Sequence, residues 1–193
     1  MSRRAVPASA IAAKAAFVAG AWAARRPVVS RAEEAVFHRV NDLPAAAFPA
    51  VWAVMQSGSL GGVFAVAGTA AALGRRPLAL RLAVAGTAVW AAAKAAKPFV
   101  RRGRPSTGIE RYRVLGRPQT GLGYPSGHAA VAVTLAAVAA PTLGRPWRAL
   151  AWTAAGVTGV SRIYVGAHYP LDVAGGWALG WAAGSVARRL EGG

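Results

Sequence analysis

Three short stretches hold most of the polar chemistry of this chain: KPFVRRGRP at residues 97–105, PSGH at 125–128 and SRIYVGAHYPLD at 161–172. They contribute Lys97, Arg104, Ser126, His128, Arg162, His168 and Asp172. These are cations suited to an oxyanion, two imidazoles and one carboxylate, set among alanine, valine and glycine. In Pro125-Ser126-Gly127-His128 a proline and a serine open a long apolar run. The unpaired N–H groups of a helix's first turn, its dipole and the serine hydroxyl would face one oxyanion, and Gly127 lets a ligand approach the backbone. His128, on that turn, is placed to protonate a leaving oxygen. The same residues also fit an ordinary serine cap followed by a helix-start histidine.

Asp172 is the one acid that opens an apolar helix; Glu33, Glu34, Asp42, Glu110 and Glu191 fall in loops, a surface helix or the tail. Pro170 suits the first helical position, which puts Asp172 in the first turn with His168 just before it. The carboxylate can then hold one imidazole nitrogen and leave the other free to attack phosphorus. A helix cap built from the same pair is the alternative. Lys97 and Arg104 join a point charge to a bidentate fork, a pairing suited to tetrahedral phosphate. Pro98 and Gly103 lie between them, so their convergence depends on how the loop folds. The remaining loop arginines, Arg101, Arg102, Arg111, Arg113 and Arg117, read as snorkelling or lipid-headgroup cations.

These groups need elements to carry them. Uncharged runs at 43–74, 82–93, 118–144, 149–161 and 173–187 predict membrane-spanning helices. Several fall short of the ~17–25 residues a span requires. If the motif residues form the outermost turns, 126–143, 146–162 and 170–187 reach about that length and the polar groups lie at the membrane interface. The expected fold is all-α. It is a polytopic membrane bundle of six transmembrane helices, over 9–24, 44–73, 77–96, 126–143, 146–162 and 170–187, with an amphipathic interfacial helix over 30–43. In that surface helix Ser30 is the cap, Glu33 and Glu34 occupy the first turn, and Val36, Phe37, Val40 and Leu43 follow at helical spacing. Residues 1–193 are expected to form one domain with its core at 44–190.

The first span is the weakest, with Lys14 near its centre. Arg3, Arg4 and the Ala21-Trp22-Ala23 sequence also fit a cleaved secretory signal, but the uncharged segment before that point is too short for a signal core. A retained helix is the preferred reading.

Net charge is +17, from 23 Lys and Arg against 6 Asp and Glu. Arg75, Arg76 and Arg81, then Arg145 and Arg148, then Arg188 and Arg189 flank apolar runs, as cytoplasmic loop residues do. Membrane topology accounts for this charge, and a nucleic-acid partner is not expected. Parity then puts all three motifs on the outer face. The loop 97–119 is basic all the same, an exception that a bound anion would explain. With no cysteine in the chain, disulfides, thiolate metal sites and cysteine nucleophiles are excluded.

A lysine followed after six residues by Arg-Pro, then Pro-Ser-Gly-His, then Ser-Arg, five residues, His, three residues and Asp together resemble the tripartite signature of the type 2 phosphatidic acid phosphatases, relatives of the vanadium haloperoxidases. Every signature position is filled, in order, across 97–172. The resemblance implies a six-helix membrane phosphatase in which His168 is transiently phosphorylated and Asp172 orients it. It assigns protonation of the leaving alcohol to His128, and the phosphate to Lys97, Arg104, Ser126, Gly127 and Arg162. It implies no metal and no other cofactor.

The loop 98–124 and the helix 30–43 are the expected lipid contacts, and nothing in them separates phosphatidic acid, phosphatidylglycerol phosphate, polyprenyl diphosphate or a polyprenyl phosphosugar. A polyprenyl carrier is favoured, handled on the extracytoplasmic side of a bacterial inner or plasma membrane. A phosphatidic acid or phosphatidylglycerol phosphate phosphatase is the alternative. A non-enzymatic membrane scaffold is the rival of another class, and the presence of His128, His168 and Asp172 together counts against it. A haloperoxidase is disfavoured by the apolar helices, since those relatives are soluble and far longer.

Overall fold

A helix that is apolar on every side belongs in the middle of a bundle. In the computed structural model, which describes residues 8–26 and 28–189, that helix is α6 (Gly127–Ala139), whose residues from Ala129 to Val138 are all buried. Arg3, Arg4 and Glu191 lie outside the described residues. Around α6 pack α5 (Arg76–Val100), α7 (Arg145–Tyr164) and α8 (Pro170–Arg189). Between α6 and α8 the backbones themselves touch. A Cβ at Gly176 would strike the Ser126 carbonyl oxygen, and one at Gly180 the Ala130 carbonyl oxygen. Small residues four apart permit this approach.

Outer helices complete the bundle. α1 (Ala8–Ala24) lies along α8 and receives the Tyr124 hydroxyl on its Phe17 carbonyl at 2.8 Å. α2 (Arg31–Asn41) begins as the sequence predicts, with Ser30 Oγ accepting the Glu33 N–H at 3.2 Å. Its inner face holds Phe37 and Asn41, both fully buried. Asn41 donates to the carbonyls of Arg113 and Tyr164, each at 2.9 Å, and accepts the Arg113 N–H at 2.8 Å. One amide thus ties the long 101–126 loop to the end of α7.

The expected span 44–73 is broken. It forms α3 (Phe48–Met55) and α4 (Leu60–Ala72), with a bend of 75° between Ala45–Gly58 and Leu60–Ala72. The cause is the polar run Gln56-Ser57-Gly58-Ser59. Ser57 and Ser59 donate to the carbonyls of Val54 and Gln56, and Ser59 Oγ caps α4 by accepting the Gly62 N–H at 2.9 Å. Local side-chain bonds of this kind compete with the helix ladder.

The helical stretch Arg76–Thr107 is long and apolar enough to cross a membrane, and the bent pair is a second candidate. α1 and Gly127–Thr142 are apolar but shorter. Large apolar side chains nevertheless face outward on several helices, among them Val18, Phe64, Leu80, Val84, Trp147 and Leu150. The fold is all-α among the described residues, as the sequence predicts.

Candidate active site

α7 and α8 run in opposite directions, and the turn between them must place His168. Gly166 makes that turn with φ of 75°, and a Cβ there would collide with the Arg113 carbonyl oxygen. The N–H groups of Ala167 and His168 then both donate to the Arg162 carbonyl at 3.0 Å. Asp172 is fully buried, and its Oδ2 accepts the Tyr169 N–H at 3.1 Å and faces His168 Nδ1 at 3.2 Å. In geometry, then, the carboxylate both caps α8 and holds the imidazole.

On the far side of the ring, Arg104 Nη1 lies 3.2 Å from His168 Nε2. A guanidinium can only donate, so Nε2 carries the lone pair and Nδ1 carries the proton given to Asp172. His168 is 3% exposed. Its burial, followed by the charges of Arg104, Arg162 and Lys97, holds its pKa well below the usual histidine range, so the ring is neutral.

α5 runs through Pro98 to Val100, and Arg101 ends it in the left-handed region with φ of 57°. The proline near the end removes one donor and does not stop the helix. That reversal sends the next residues back across α8. Arg104 also donates to the carbonyls of Ala167 at 2.6 Å and Thr120 at 3.0 Å. Lys97 engages all three of its donors with the carbonyls of Leu122, Gly123 and Pro125, at 2.9, 2.8 and 3.1 Å. It lies under the loop that leads into Ser126 and brings charge to the site through that loop.

Ser126 stands at the cap position of α6, but the expected cap bond is not made. Its buried hydroxyl has no partner among the described residues, while its N–H donates to the Asp172 carbonyl at 2.9 Å. Gly127 has room beside it, since a Cβ would meet only Ala93 Cβ at 3.9 Å. Arg162 is 4% exposed, with Nη1 at 2.8 Å from the weak acceptor Met55 Sδ and Nε without a partner among the described residues. His128 is half-buried and shares a cavity of about 260 Å³ with Arg162, Trp52, Gln56, Arg117 and Gln119. A larger groove of about 730 Å³ along α5 and α8 is lined by residues such as Leu80, Val84 and Leu179 and holds none of these groups.

The eight residues predicted from the sequence thus gather at one end of the bundle, where α5 and α7 finish and α6 and α8 begin. The headgroup reading of Arg102 is overturned. It is 8% exposed and bonds Asp172 Oδ1 at 3.3 Å and Glu33 Oε2 at 2.7 Å. No local pattern marks it, because its partners come from α8 and from α2, far away in sequence. Gln56, by contrast, was visible as a polar residue within an apolar run.

Comparison with known proteins bears on the family and the fold. An undecaprenyl-diphosphatase of Sulfolobus acidocaldarius is 38% identical over 77 residues, a match that spans 40% of this chain and 37% of that protein. The fold is that of the transmembrane PAP2-type phosphatidylglycerolphosphate phosphatase of Bacillus subtilis, with a TM-score of 0.78 at 20% identity over 95% of this chain and 96% of that one. It is also that of LpxE from Aquifex aeolicus, with a TM-score of 0.73 at 24% identity over 80% of this chain and 93% of that one. The sequence profile of the PAP2 superfamily covers residues 76–192, more than half of the sequence and all three motifs, and the chain belongs to that superfamily.

Proposed function

We propose that this protein is an integral-membrane lipid phosphatase that works through a phosphohistidine. The observation that carries the reading is Arg162, a buried guanidinium with no carboxylate within ion-pair distance among the described residues, whose own carbonyl fixes the backbone of His168. A buried charge without a counter-ion is costly unless a ligand supplies one. The Ser126 hydroxyl and the first N–H groups of α6 add donors suited to the same tetrahedral anion.

In the proposed reaction His168 Nε2 attacks phosphorus as the bond to the lipid oxygen breaks. His128 gives its proton to that oxygen, and Asp172 stabilises the developing charge on His168 through Nδ1–H. Water then attacks the P–N bond while His128 takes its proton, and inorganic phosphate leaves. Arg104 and Arg162, with the loop held by Lys97, stabilise the equatorial oxygens.

The lipid portion is assigned to the cavity beside His128. Trp52 offers an apolar wall there, and Gln56, Arg117 and Gln119 offer polar groups for whatever follows the scissile oxygen. A polyprenyl diphosphate or phosphate is the favoured substrate, in line with the undecaprenyl-diphosphatase similarity. A phospholipid phosphate is the second reading, favoured by the likeness to the Bacillus protein.

In this proposal six helices span the membrane and the site faces outward, and the basic residues that flank the opposite ends of the helices, such as Arg75, Arg145 and Arg188, support that orientation. α5, α7 and α8 have 25, 20 and 20 residues, and 20 residues of helix cover about 30 Å, the thickness of the hydrocarbon core.

Phosphate release should be measured from detergent-dispersed polyprenyl diphosphate, polyprenyl phosphate, phosphatidic acid and phosphatidylglycerol phosphate, with and without EDTA. Turnover of at least one, undiminished by chelation and strongest on a polyprenyl substrate, is expected. Loss of activity with EDTA and recovery with a divalent metal would overturn the mechanism. A cysteine at the exposed Thr107 should react with an impermeant thiol reagent outside intact cells, and one at Arg76 should not; the reverse pattern would put the site in the cytoplasm.

A further inference from the structure

We infer that Glu33, on the surface helix α2, is a positioning residue for the His168–Asp172 pair and acts through Arg102. The inference rests on His168 being the nucleophile.

Four side chains form a continuous line. Glu33 Oε2 accepts from Arg102 Nη2 at 2.7 Å, Arg102 Nη1 donates to Asp172 Oδ1 at 3.3 Å, and Asp172 Oδ2 faces His168 Nδ1 at 3.2 Å. The other oxygen of Glu33 accepts the N–H of Leu171 at 2.9 Å, in the first turn of α8. Glu33 therefore grips both the arginine and the helix that carries Asp172. The Arg102 side chain is 7% exposed and that of Glu33 12%, so water screens little of this interaction. The Tyr169 ring lies under the Arg102 guanidinium at 4.7 Å and limits its movement.

The geometry gives Glu33 a task beyond holding α2. A guanidinium fork matches both oxygens of a carboxylate. Arg102 stands between two carboxylates and gives one arm to each. With the charge on Glu33 removed, the free arm would turn to Asp172 and draw Oδ2 away from the His168 Nδ1–H. The imidazole would lose orientation and stabilisation of its charged form, while the phosphate-facing groups Arg104, Arg162 and Ser126 would be untouched. α2 itself keeps other anchors, namely Phe37, which packs on Tyr169 with ring centroids 6.0 Å apart, and Asn41.

Glu33→Gln separates these roles, because the amide oxygen still accepts from Leu171 while its NH₂ meets Arg102 as donor against donor. With p-nitrophenyl phosphate and the full-length protein in detergent, kcat should fall about tenfold or more, as on loss of other supporting partners of a reacting group. KM and the inhibition constant for inorganic phosphate should stay within about twofold. Glu33→Asp, which keeps the charge, should recover part of the loss. Arg102→Met should lower kcat to a similar extent, and Glu33→Gln should add nothing in that background.

Wild-type kcat in Glu33→Gln with His168→Ala inactive would overturn the role of Glu33 and leave the nucleophile standing. Independent, additive losses, or a parallel rise in the phosphate inhibition constant, would show a merely structural contact and overturn it as well. Full activity of His168→Ala would remove the mechanism, and this inference with it.

Discussion

Arg104 Nη1 and His168 Nε2 lie 3.2 Å apart, and because the guanidinium can only donate, their contact decides which nitrogen of the imidazole is basic. Asp172 at Nδ1 and Arg104 at Nε2 impose the same tautomer from opposite sides. The arginine that is to bind phosphate also directs the nucleophile's lone pair into the phosphate site. A phosphate oxygen that takes the Arg104 donor would release that lone pair for attack.

The neutral Nδ1–H form should therefore persist on acidification. ¹⁵N-histidine NMR of the detergent-solubilised protein has three ring systems to assign, His38, His128 and His168. The pKa of His168 is depressed by burial and by Arg104, Arg162 and Lys97, so its signals should not titrate at about 6.5, the ordinary histidine value. The folded protein binds fewer protons here than the unfolded chain. This contribution to stability is whole above about pH 6.5 and falls away as the pH drops below it. Titration of His168 at the ordinary value, or a protonated Nε2 at neutral pH, would contradict the geometry.

The two histidines should part by leaving group. His168→Ala is expected to abolish turnover of every substrate, since no nucleophile remains. His128→Ala should lose about 10²–10⁴-fold on a lipid phosphate and much less on p-nitrophenyl phosphate, whose leaving group needs no proton. With that ester a phosphoenzyme should be trapped in His128→Ala and not in His168→Ala. Label on His128 would reverse the two roles.

Arg162 should show a conflict between stability and function. Arg162→Met removes a buried charge whose Nη1 meets a thioether and whose Nε has no partner among the described residues, and the change should stabilise the fold by about 1 kcal/mol or more. Inorganic phosphate at 100 times its Kd should stabilise the wild-type protein by about 2.7 kcal/mol. Thermal melts should show a raised Tm in the variant, no further rise with phosphate, and no measurable turnover. A lower Tm in Arg162→Met would mean that its charge is already compensated within the protein.

The motif residues were legible because each lies at or just beyond the end of a long apolar helix, where a polar group stands out. The Ser30 cap of α2 followed from local pattern, whereas the cap bond expected of Ser126 is not made. The break at Gln56–Ser59 was written in four consecutive polar or small residues, yet hydropathy averaged over the run concealed it. What sequence could not disclose is partnership across distance. Lys97 looks like a free ammonium until the loop 122–125 folds over it, and Arg102 cannot be told from its exposed neighbour Arg101 without Glu33. Asn41 reads as one polar position on a surface helix, and only the packed structure shows an amide closing the 101–126 loop onto α7.

Gly176 and Gly180 leave α6 and α8 in contact backbone to backbone, with Thr134 Oγ1 reaching the Gly180 carbonyl at 3.1 Å across the seam. Such a joint contains almost no rotatable bonds. His128 travels with one helix and Asp172, which holds the proposed nucleophile His168 at 3.2 Å, with the other, so the spacing between proposed acid and nucleophile follows the joint between the two helices. The walls supplied by α3 and by residues 115–119 of the loop stand outside it. Cavity shape and reaction geometry are therefore separable, and the lipid accepted can change by substitution at positions such as Trp52 or Gln119 without retuning the chemistry.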